Sequence, residues 1–566
     1  MKNFLIYISL LAYTATCYSQ NFKLQLTGIS RQETQTIDSL NYISKHKNAL
    51  SIKSELETTS QRLSQLGFIE NKITNQLKEN DSTYTTQISL GIKIKHIHIN
   101  IGTNNAFTKT LFNNTTQDSI FIPYLEIEKF LNQNTIALER KGFPLAKLKL
   151  TNIQRKENIL FANLQFETEN QRQLNTIVIK QTDNPTKNSF PSNYLTQINR
   201  KYKNKTFNQE LLTKIHEEFR KISFVSQPKQ PEILFTKDST KVYVYLEKRK
   251  SNTFDGFLGF SNNENKKIVL NGYLDLTLEN TLKVGEQFSL YWKSDGDQQK
   301  TFNTSLELPY LFKTPIGLKA QLNIFKQDST YQNTKTQIDL SYFINYNTRF
   351  YLGYQSTASS DIQNTNSTTL ADYNNTFITS KLNFSQFDYS KTLFLKKSSL
   401  DITAGSGKRE TNNQSELNTK YKQFFIELQA MHTFYLNTKN NINIKSYNYF
   451  LYSSNYLDNE LYRFGGINSI RGFSENSLQA NLMTTIITEY RYIISPSVYF
   501  NTILDYCSFR SPSSIKNKTD LLGFGLGFGV QTANGLLKIS LANGSEKSTK
   551  IDFYNTIIHI SYNVKF

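Results

Sequence analysis

The chain has 566 residues, which is too long for one small domain, and its formal net charge is +19. Its mean hydropathy is −0.49 and hydrophobic residues make up 38%, a composition that argues against a bundle of membrane-spanning helices. Aromatic residues nevertheless reach 13%, with 40 Phe and 33 Tyr against one Trp. A polar chain rich in aromatic residues is typical of a transmembrane β-barrel, where only alternate residues meet lipid and aromatic girdles mark the interfaces.

The first 19 residues have the pattern of an export signal. Lys2 supplies the charged start, residues 4–15 form a short apolar run, and Ser19 before Gln20 suits cleavage. A lipoprotein signal in which Cys17 is lipidated is the alternative. If Cys17 is removed with the signal, Cys507 is the only remaining cysteine, which leaves no disulfide framework and no cysteine-based metal site.

Residues 20–250 contain three similar units, which we place at 20–93, 94–171 and 172–250. Each opens with a short strand, continues through a helix and closes with two alternating strands. The predicted helices cover 54–66, 124–140 and 208–224. Gly67 and Gly142, each followed by Phe, are expected to end the first two helices, because glycine adopts the left-handed conformation of a C-terminal cap.

Most of the net positive charge of the chain lies in residues 20–250. This positive charge indicates either a surface that attracts acidic clients and anionic lipid or simply a solvated surface. The export signal argues against nucleic acid as a partner.

After residue 250 helical periodicity gives way to alternating segments separated by polar turns. This pattern predicts about sixteen antiparallel strands, an even number that suits a bacterial barrel. In the last one, alternation predicts Ile558, Ile560 and Tyr562 on the lipid side and His559 and Ser561 in the lumen. A soluble β-sandwich is the alternative, and it leaves the aromatic-rich strands behind a signal sequence unexplained. The predicted strands are 253–262, 267–278, 285–294, 300–310, 316–327, 332–344, 348–357, 374–387, 392–404, 422–436, 440–453, 481–494, 497–509, 521–532, 535–543 and 552–566.

One inter-strand segment, 456–480, is unusually long and lies between the eleventh and twelfth predicted strands. Its motif residues are Gly465, Gly466, Ile470, Arg471, Gly472 and Phe473. An arginine between an apolar residue and a Gly-aromatic pair is a candidate for folding into the lumen, with Gly472 allowing a close approach to the wall. A buried arginine needs an acid, and strand alternation points Asp505 towards the lumen, with Glu489 on the preceding strand. The alternative is that Arg471 is a solvated loop residue.

Residues 470–473, preceded by Gly465 and Gly466, resemble the loop-six motif of the outer-membrane assembly superfamily that includes BamA and TamA. Residues 489–491, 504–506 and 523–529 are similar to the strands that follow it, the N-terminal units resemble polypeptide-transport-associated (POTRA) domains, and Phe566 resembles the terminal aromatic of a barrel insertion signal. The resemblance implies a transmembrane β-barrel of 16 antiparallel strands with N-terminal α+β POTRA domains. It also implies an Arg471–Asp505 contact that locks loop six inside, and a weak seam between the first and last strands.

The predicted seam has its own sequence features. The first strand contains Gly256 and Gly259, which weaken a strand through backbone entropy and lost packing, and the last strand ends at Phe566. Two departures from the family stand out: three POTRA-like units rather than the usual five of BamA, and no glycine to kink the last strand.

No motif indicates catalysis. His96 and His98 share one face of a strand, but no Cys, Asp or Glu lies beside them at ligand spacing, so they are read as exposed histidines rather than a metal site. The chain contains no nucleophile elbow, zincin motif or phosphate-binding loop. We therefore expect a protein that is not an enzyme and needs no cofactor.

The expected function is outer-membrane protein assembly, insertion or translocation, with clients engaged by β-augmentation at POTRA edges and at the barrel seam. The alternative is a two-partner-secretion-type export pore for a dedicated substrate. A passive porin would leave residues 21–250 without a role. Expected partners are nascent outer-membrane proteins or an exported protein, the lipid bilayer with lipopolysaccharide, and a periplasmic or inner-membrane accessory protein. The expected location is the bacterial outer membrane, with the N-terminal domains in the periplasm.

Overall fold

The computed structural model describes residues 22–102, 111–112, 118–181, 190–262, 268–295, 299–364, 369–391, 393–411, 419–512, 518–546 and 556–566. The predicted signal peptide, including Cys17, lies outside these residues. The chain forms two compact units. One extends to residue 173 and includes 205–211, and the other comprises 174–204 and 212–566.

The first unit begins with a four-stranded sheet in the order β2-β1-β4-β3, in which β1 and β4 are parallel. Its elements are β1 (Phe22–Gly28), α1 (Arg31–Asp38), β2 (Lys45–His46), α2 (Ala49–Gln65), β3 (Lys72–Lys78) and β4 (Thr83–Ser89). Leu24 and Leu26 of β1 pack with Ile52 and Leu63 of α2, because alternate strand residues and one helix face meet in the core. Sequence reasoning missed α1.

A second sheet in the same unit has the order β6-β5-β8-β7. Its elements are β5 (His96–Asn100), β6 (Ser119–Pro123), α3 (Ile127–Arg140), β7 (Lys147–Lys156) and β8 (Ile159–Glu167). Gly67 and Gly142 have φ values of +101° and +94° after α2 and α3, which confirms the two predicted helix ends. His96 stacks on Phe121 at 4.8 Å between ring centroids, consistent with a packing role.

A third sheet lies in the second compact unit, with β9 parallel to β12 and the order β10-β12-β11 beside it. Its elements are β9 (Leu174–Gln181), α4 (Ser192–Tyr202), α5 (Gln209–Arg220), β10 (Val225–Ser226), β11 (Glu232–Phe235) and β12 (Thr240–Lys248). The prediction of one helix over 208–224 was incomplete, because α4 precedes α5. Tyr194, Ile198 and Tyr202 are buried at helical spacing, which is the signal that marks α4.

The rest of the second unit is a closed barrel of sixteen strands, as predicted, with a two-stranded hairpin made by β24 and β25. The largest difference from the predicted strands is at β21, which ends at Thr411 rather than at 404. Residues 552–555 of the last predicted strand lie outside the described residues. The strands are β13 (Thr253–Asn262), β14 (Ile268–Glu279), β15 (Gln287–Asp295), β16 (Gln299–Leu308), β17 (Ile316–Gln327), β18 (Tyr331–Asn345), β19 (Thr348–Asp361), β20 (Tyr373–Phe387), β21 (Lys396–Thr411), β22 (Thr419–Tyr435), β23 (Asn440–Ser453), β24 (Tyr462–Phe464), β25 (Leu478–Ala480), β26 (Leu482–Ser495), β27 (Val498–Arg510), β28 (Thr519–Gln531), β29 (Gly535–Glu546) and β30 (Ile557–Lys565).

The barrel is apolar outside and polar inside. On β18, Ile338 and Leu340 are 60% and 53% exposed, whereas Asp339 and Ser341 between them are 1% exposed. The outward residues predicted on β30 follow the same pattern, with Ile558 62% exposed. Soluble proteins bury apolar side chains and expose polar ones, whereas this barrel does the reverse. That arrangement is typical of a lipid-facing barrel and argues against the β-sandwich alternative. Among the described helices, none is long and apolar enough to cross a membrane.

The third domain, residues 174–204 and 212–250, is attached to turns at one end of the barrel. Tyr194 of α4 is 4% exposed; its hydroxyl donates to the carbonyl of Gly285 at 3.2 Å, and its ring meets Tyr310 edge-on at 4.7 Å. Burial raises the pKa of Tyr194 well above its usual value, so the phenol stays protonated and remains a donor. The hydroxyls of Ser223 and Tyr346 add a contact of 2.6 Å.

Candidate functional site

Loop six, residues 454–481 between β23 and β26, folds into the barrel lumen. A 3-10 turn at Asp458–Glu460 leads into the hairpin of β24 and β25, and Gly465 and Gly466 take φ values of +115° and +93° after β24. Ile470 is fully buried in an apolar cluster. That cluster consists of Phe464, Ile470, Ala480, Met483, Cys507 and Leu521, with Phe473 packed against it. Burial of the loop against inward-facing strand residues is what holds this segment inside.

The predicted contact between Arg471 and Asp505 is present. Arg471 Nε donates to Asp505 Oδ2 at 2.7 Å and Nη2 donates to Oδ1 at 2.6 Å, a bidentate fork, while the Arg471 backbone N–H reaches Oδ2 at 3.2 Å. Arg471 is 3% exposed and Asp505 is fully buried. A guanidinium and a carboxylate in this geometry form one of the stronger charge-assisted hydrogen-bond pairs that proteins use.

Glu489 joins the pair from the adjacent strand β26. Its Oε1 accepts from Arg471 Nη1 at 2.5 Å, and its Oε2 accepts from Arg491 Nε at 2.7 Å. Arg471 Nη2 also lies 3.4 Å from the carbonyl of Thr488. The hydrogen-bonded group therefore contains two guanidinium groups and two carboxylates, and each carboxylate has a cationic partner.

The glycines at the site permit close backbone contact. A Cβ at Gly472, where φ is +88°, would lie 2.3 Å from backbone atoms of Asn543 and Gly544 on β29. A Cβ at Gly523 of β28 would lie 2.3 Å from the carbonyl oxygen of Arg471, and one at Gly544 would lie 2.6 Å from the Phe473 ring. Gly472 therefore lies in close backbone contact with β29, at a position where a side chain would not fit.

The predicted seam residues lie on β13 and β30, and the two strands pair at only two positions. Thr253 pairs with Lys565 and Phe254 with Val564, and the N–H of Phe566 donates to the Asn252 carbonyl at 3.1 Å. Among the described residues of both strands, neither Gly256 nor Gly259 pairs with β30; both pair only with β14.

Beyond its second pair, the part of the seam whose side chains are described shows a side-chain contact in place of ladder hydrogen bonds. The Asp255 carboxylate accepts from the backbone N–H of Tyr562 at 3.3 Å. By contrast, β29 and β30 pair at eight positions and β13 and β14 at ten. A strand edge with unused backbone groups is thereby available on each side of the seam.

Sequence reasoning missed the other contacts of loop six with the wall. Arg463 Nε donates to the Tyr331 hydroxyl on β18 at 2.6 Å, and Glu475 lies 3.6 Å from Lys293 on β15. Glu460 pairs with Arg409 of β21, with both side chains 1% exposed. The wall residues Tyr331, Lys293 and Arg409 fall at inward-facing positions of their strands. Alternation alone, however, does not predict which loop residue each of them contacts, because the partners are far apart in the sequence.

Solved structures of two CdiB proteins and one BamA protein are similar to this chain. CdiB from Acinetobacter baumannii is 16% identical, with 91% of this chain and 98% of that chain covered and a TM-score of 0.50. CdiB from Escherichia coli is 12% identical over the same shares, with a TM-score of 0.51. BamA from Haemophilus ducreyi lacking POTRA domains 1-3 is 15% identical, covering 84% of this chain and 100% of that chain, with a TM-score of 0.49.

The chain therefore shares its fold with the two CdiB structures. In this chain the fold is a sixteen-stranded barrel preceded by small α+β domains, with a long loop folded into the lumen. No protein-family model and no curated protein sequence matches it.

Proposed function

We propose that this chain is an outer-membrane protein assembly, insertion or translocation factor, and that it is not an enzyme. Its fold and its apolar barrel exterior support a place in the bacterial outer membrane, with the N-terminal domains, which we take as POTRA domains, in the periplasm. Its partners are then nascent outer-membrane proteins or an exported protein, together with the surrounding lipid.

The short seam is the observation that carries the proposal. A barrel normally pairs its strands along their whole length, which leaves no free edge. Here β13 and β30 pair at two positions only, so the barrel presents backbone donors and acceptors to which a client strand can bind by edge pairing. A protein that only let small solutes through its lumen would have no use for such an edge.

Exposed edges on the N-terminal sheets supply an earlier binding step. Strand β3 ends its sheet, every one of its residues is exposed, and Ile73 and Leu77 are 48% and 57% exposed. An extended client segment can add to such an edge through backbone hydrogen bonds.

The test is to lock the seam with a disulfide. Phe257 and Ser561 each lie four residues beyond the Thr253–Lys565 pair, so the same register would bring them opposite each other. The variant Phe257→Cys/Ser561→Cys is made in a Cys507→Ala background, because Cys507 is the only other cysteine of the mature chain. Cells depleted of the wild-type protein should recover outer-membrane protein levels with the reduced variant but not with the oxidised one.

The matched control is Leu537→Cys/Tyr562→Cys, which links β29 to β30 where the two strands already pair at eight positions. It should support assembly whether oxidised or reduced. If the locked seam supports normal assembly as well as this control does, edge pairing at the seam is wrong, and export of a dedicated substrate through the lumen becomes the better account.

A further inference from the structure

The first residues of loop six make a group of buried contacts that is separate from the Arg471 site. Glu460 accepts hydrogen bonds from Arg409, from Gln423 Nε2 at 2.9 Å and from the Leu457 backbone N–H at 3.0 Å. The side chains of Arg409 and Glu460 are each 1% exposed. A carboxylate this deeply buried depends on its cationic partner, because a lone buried charge is strongly unfavourable.

Asn459 extends the group to neighbouring strands. Its Nδ2 donates to Ser359 Oγ at 2.7 Å and to the Ala371 carbonyl at 2.9 Å. Its own carbonyl accepts from Asn333 Nδ2 at 2.6 Å and from the Tyr373 hydroxyl at 3.2 Å. Asn459 is 1% exposed, so both its side chain and its backbone are held.

These contacts lie on a different part of the wall from Asp505. The partners of Asn459 and Glu460 stand on β18 to β22, or just before β20 in the case of Ala371, whereas Arg471 binds β26 and β27. In the ring of sixteen strands, six strands separate β18 from β27 one way and eight the other way. The contact with Asn333 on β18 is therefore almost diametrically opposite Asp505.

We propose that Arg409, Glu460 and Asn459 form a second anchor, which holds loop six across the lumen independently of Arg471. Residues 461–470 then run between two fixed points, with Arg463 bonded to Tyr331 of β18 on the way. Arg409 and Glu460 act as positioning residues: they touch no client and keep the loop where it obstructs the lumen. On the β17–β23 side, the space left beside the loop is a cavity of about 300 Å³.

The second anchor has a consequence for the route that clients take. Since two anchors hold the loop, breaking the Arg471 site alone leaves the lumen obstructed, and a client is directed to the seam. This consequence for clients rests on the proposed function. The existence of the second anchor does not rest on the proposed function, because obstruction of the lumen by loop six can be measured without any client.

The test measures ion conductance of the purified full chain in planar lipid bilayers. Arg471→Ala and Glu460→Gln should each stay within about twofold of the wild type, whereas the double variant should conduct about tenfold more, because either anchor alone holds the closed state. Lys408→Met is the matched control: it neighbours Arg409 on β21, but its side chain is half exposed and pairs with Glu410. On its own, Lys408→Met should have the conductance of the wild type. Combined with Arg471→Ala, it should leave the conductance of Arg471→Ala unchanged.

Hydrogen exchange by mass spectrometry gives a second readout. Glu460→Gln should raise exchange at 457–464 and leave 470–473 protected, and Arg471→Ala should do the reverse. Heat-modifiable migration on gels shows whether each variant has kept a folded barrel. The second anchor is disproved if Arg471→Ala alone conducts as much as the double variant, if the double variant stays closed, or if Glu460→Gln leaves exchange at 457–464 unchanged.

Discussion

A guanidinium group that is 3% exposed has to find partners for its N–H groups within the protein, and Arg471 finds them in Asp505, Glu489 and the Thr488 carbonyl. Because the carboxylates come from two adjacent strands, one loop side chain connects loop six to β26 and β27 together. Arg471 thereby fixes residues 470–473 of loop six against two strands at once.

Removing this side chain should be costly. Arg471→Ala leaves Asp505 buried without a cation, and we expect a loss of stability on the order of 3 kcal/mol. Urea unfolding followed by heat-modifiable migration measures the change. The double variant Arg471→Ala/Asp505→Ala should recover part of the loss, because it removes the unpaired charge. A single variant within the error of the wild type would contradict this account.

Alanine substitutions at Gly472 and Gly466 are expected to destabilise the protein to different degrees. Both have positive φ, so alanine at either should cost about 1–3 kcal/mol of backbone strain. At Gly466, however, the new Cβ meets the end of the flexible Glu475 side chain, whereas at Gly472 it meets backbone of β29. Gly472→Ala should therefore be clearly more destabilising in the same unfolding assay, and equal effects would mean that the approach to β29 is not tight.

At the scale of elements, the borders between the N-terminal domains differ in exposure. Residues 168–172, near the end of the first compact unit, have no helix or strand, and Glu169, Asn170 and Gln171 are exposed, although Gln171 Nε2 and the Arg172 N–H donate to the carbonyls of Lys141 and Gly142 at 2.7 Å. Arg249, at the border between the third domain and the barrel, donates to the carbonyls of Ser223 and Ile222 at 2.6 Å. The two borders should therefore behave differently towards proteases.

Limited proteolysis should cut near 168–172 before 248–252. The fragment that remains should keep the third domain on the barrel, because Tyr194 and Tyr346 attach it there. Tyr194→Ala should speed the cut near 248–252, and Tyr243→Ala, on the same domain but at a half-buried position of β12, is the control. Mass spectrometry identifies the sites, and a first cut at 248–252 in the wild type would refute the ordering.

At the scale of the whole molecule, neighbouring strands of the barrel pair at eight or more positions except at the seam. Strands β21 and β22 pair at fourteen positions, against two between β13 and β30. Local stability in a sheet follows its hydrogen bonding and packing, so opening should begin at the weakest pairing.

Hydrogen exchange should reflect this difference. Amides of β30 that face the seam should exchange faster than those of β22, which has a paired neighbour on each side. The oxidised seam-locked variant should slow exchange in β30 and leave β22 unchanged. Equal protection of β30 and β22 in the unlocked protein would show that the seam is not the weak point.

Much of the architecture could be predicted because its signals are local. Period-two alternation identified all sixteen strands, since each strand has to place apolar side chains towards lipid and polar ones towards the lumen. The helix ends at Gly67 and Gly142 followed from the conformation that only glycine adopts easily. Helix α1 was missed although its start carries a capping box of Ser30 and Glu33, and α4 was missed although Tyr194, Ile198 and Tyr202 share one face.

The sequence by itself determined the barrel, the inward direction of Asp505 and the motif around Arg471, because residue type and spacing specify these. Only the tertiary structure decided that Glu460 meets Arg409, that Arg463 meets Tyr331 and that β13 and β30 pair at two positions. Such contacts join residues far apart in the chain, and their geometry depends on how the closed barrel brings its strands and loop six together. Alternation says which way a side chain points, but the identity of the partner it meets is set by the fold.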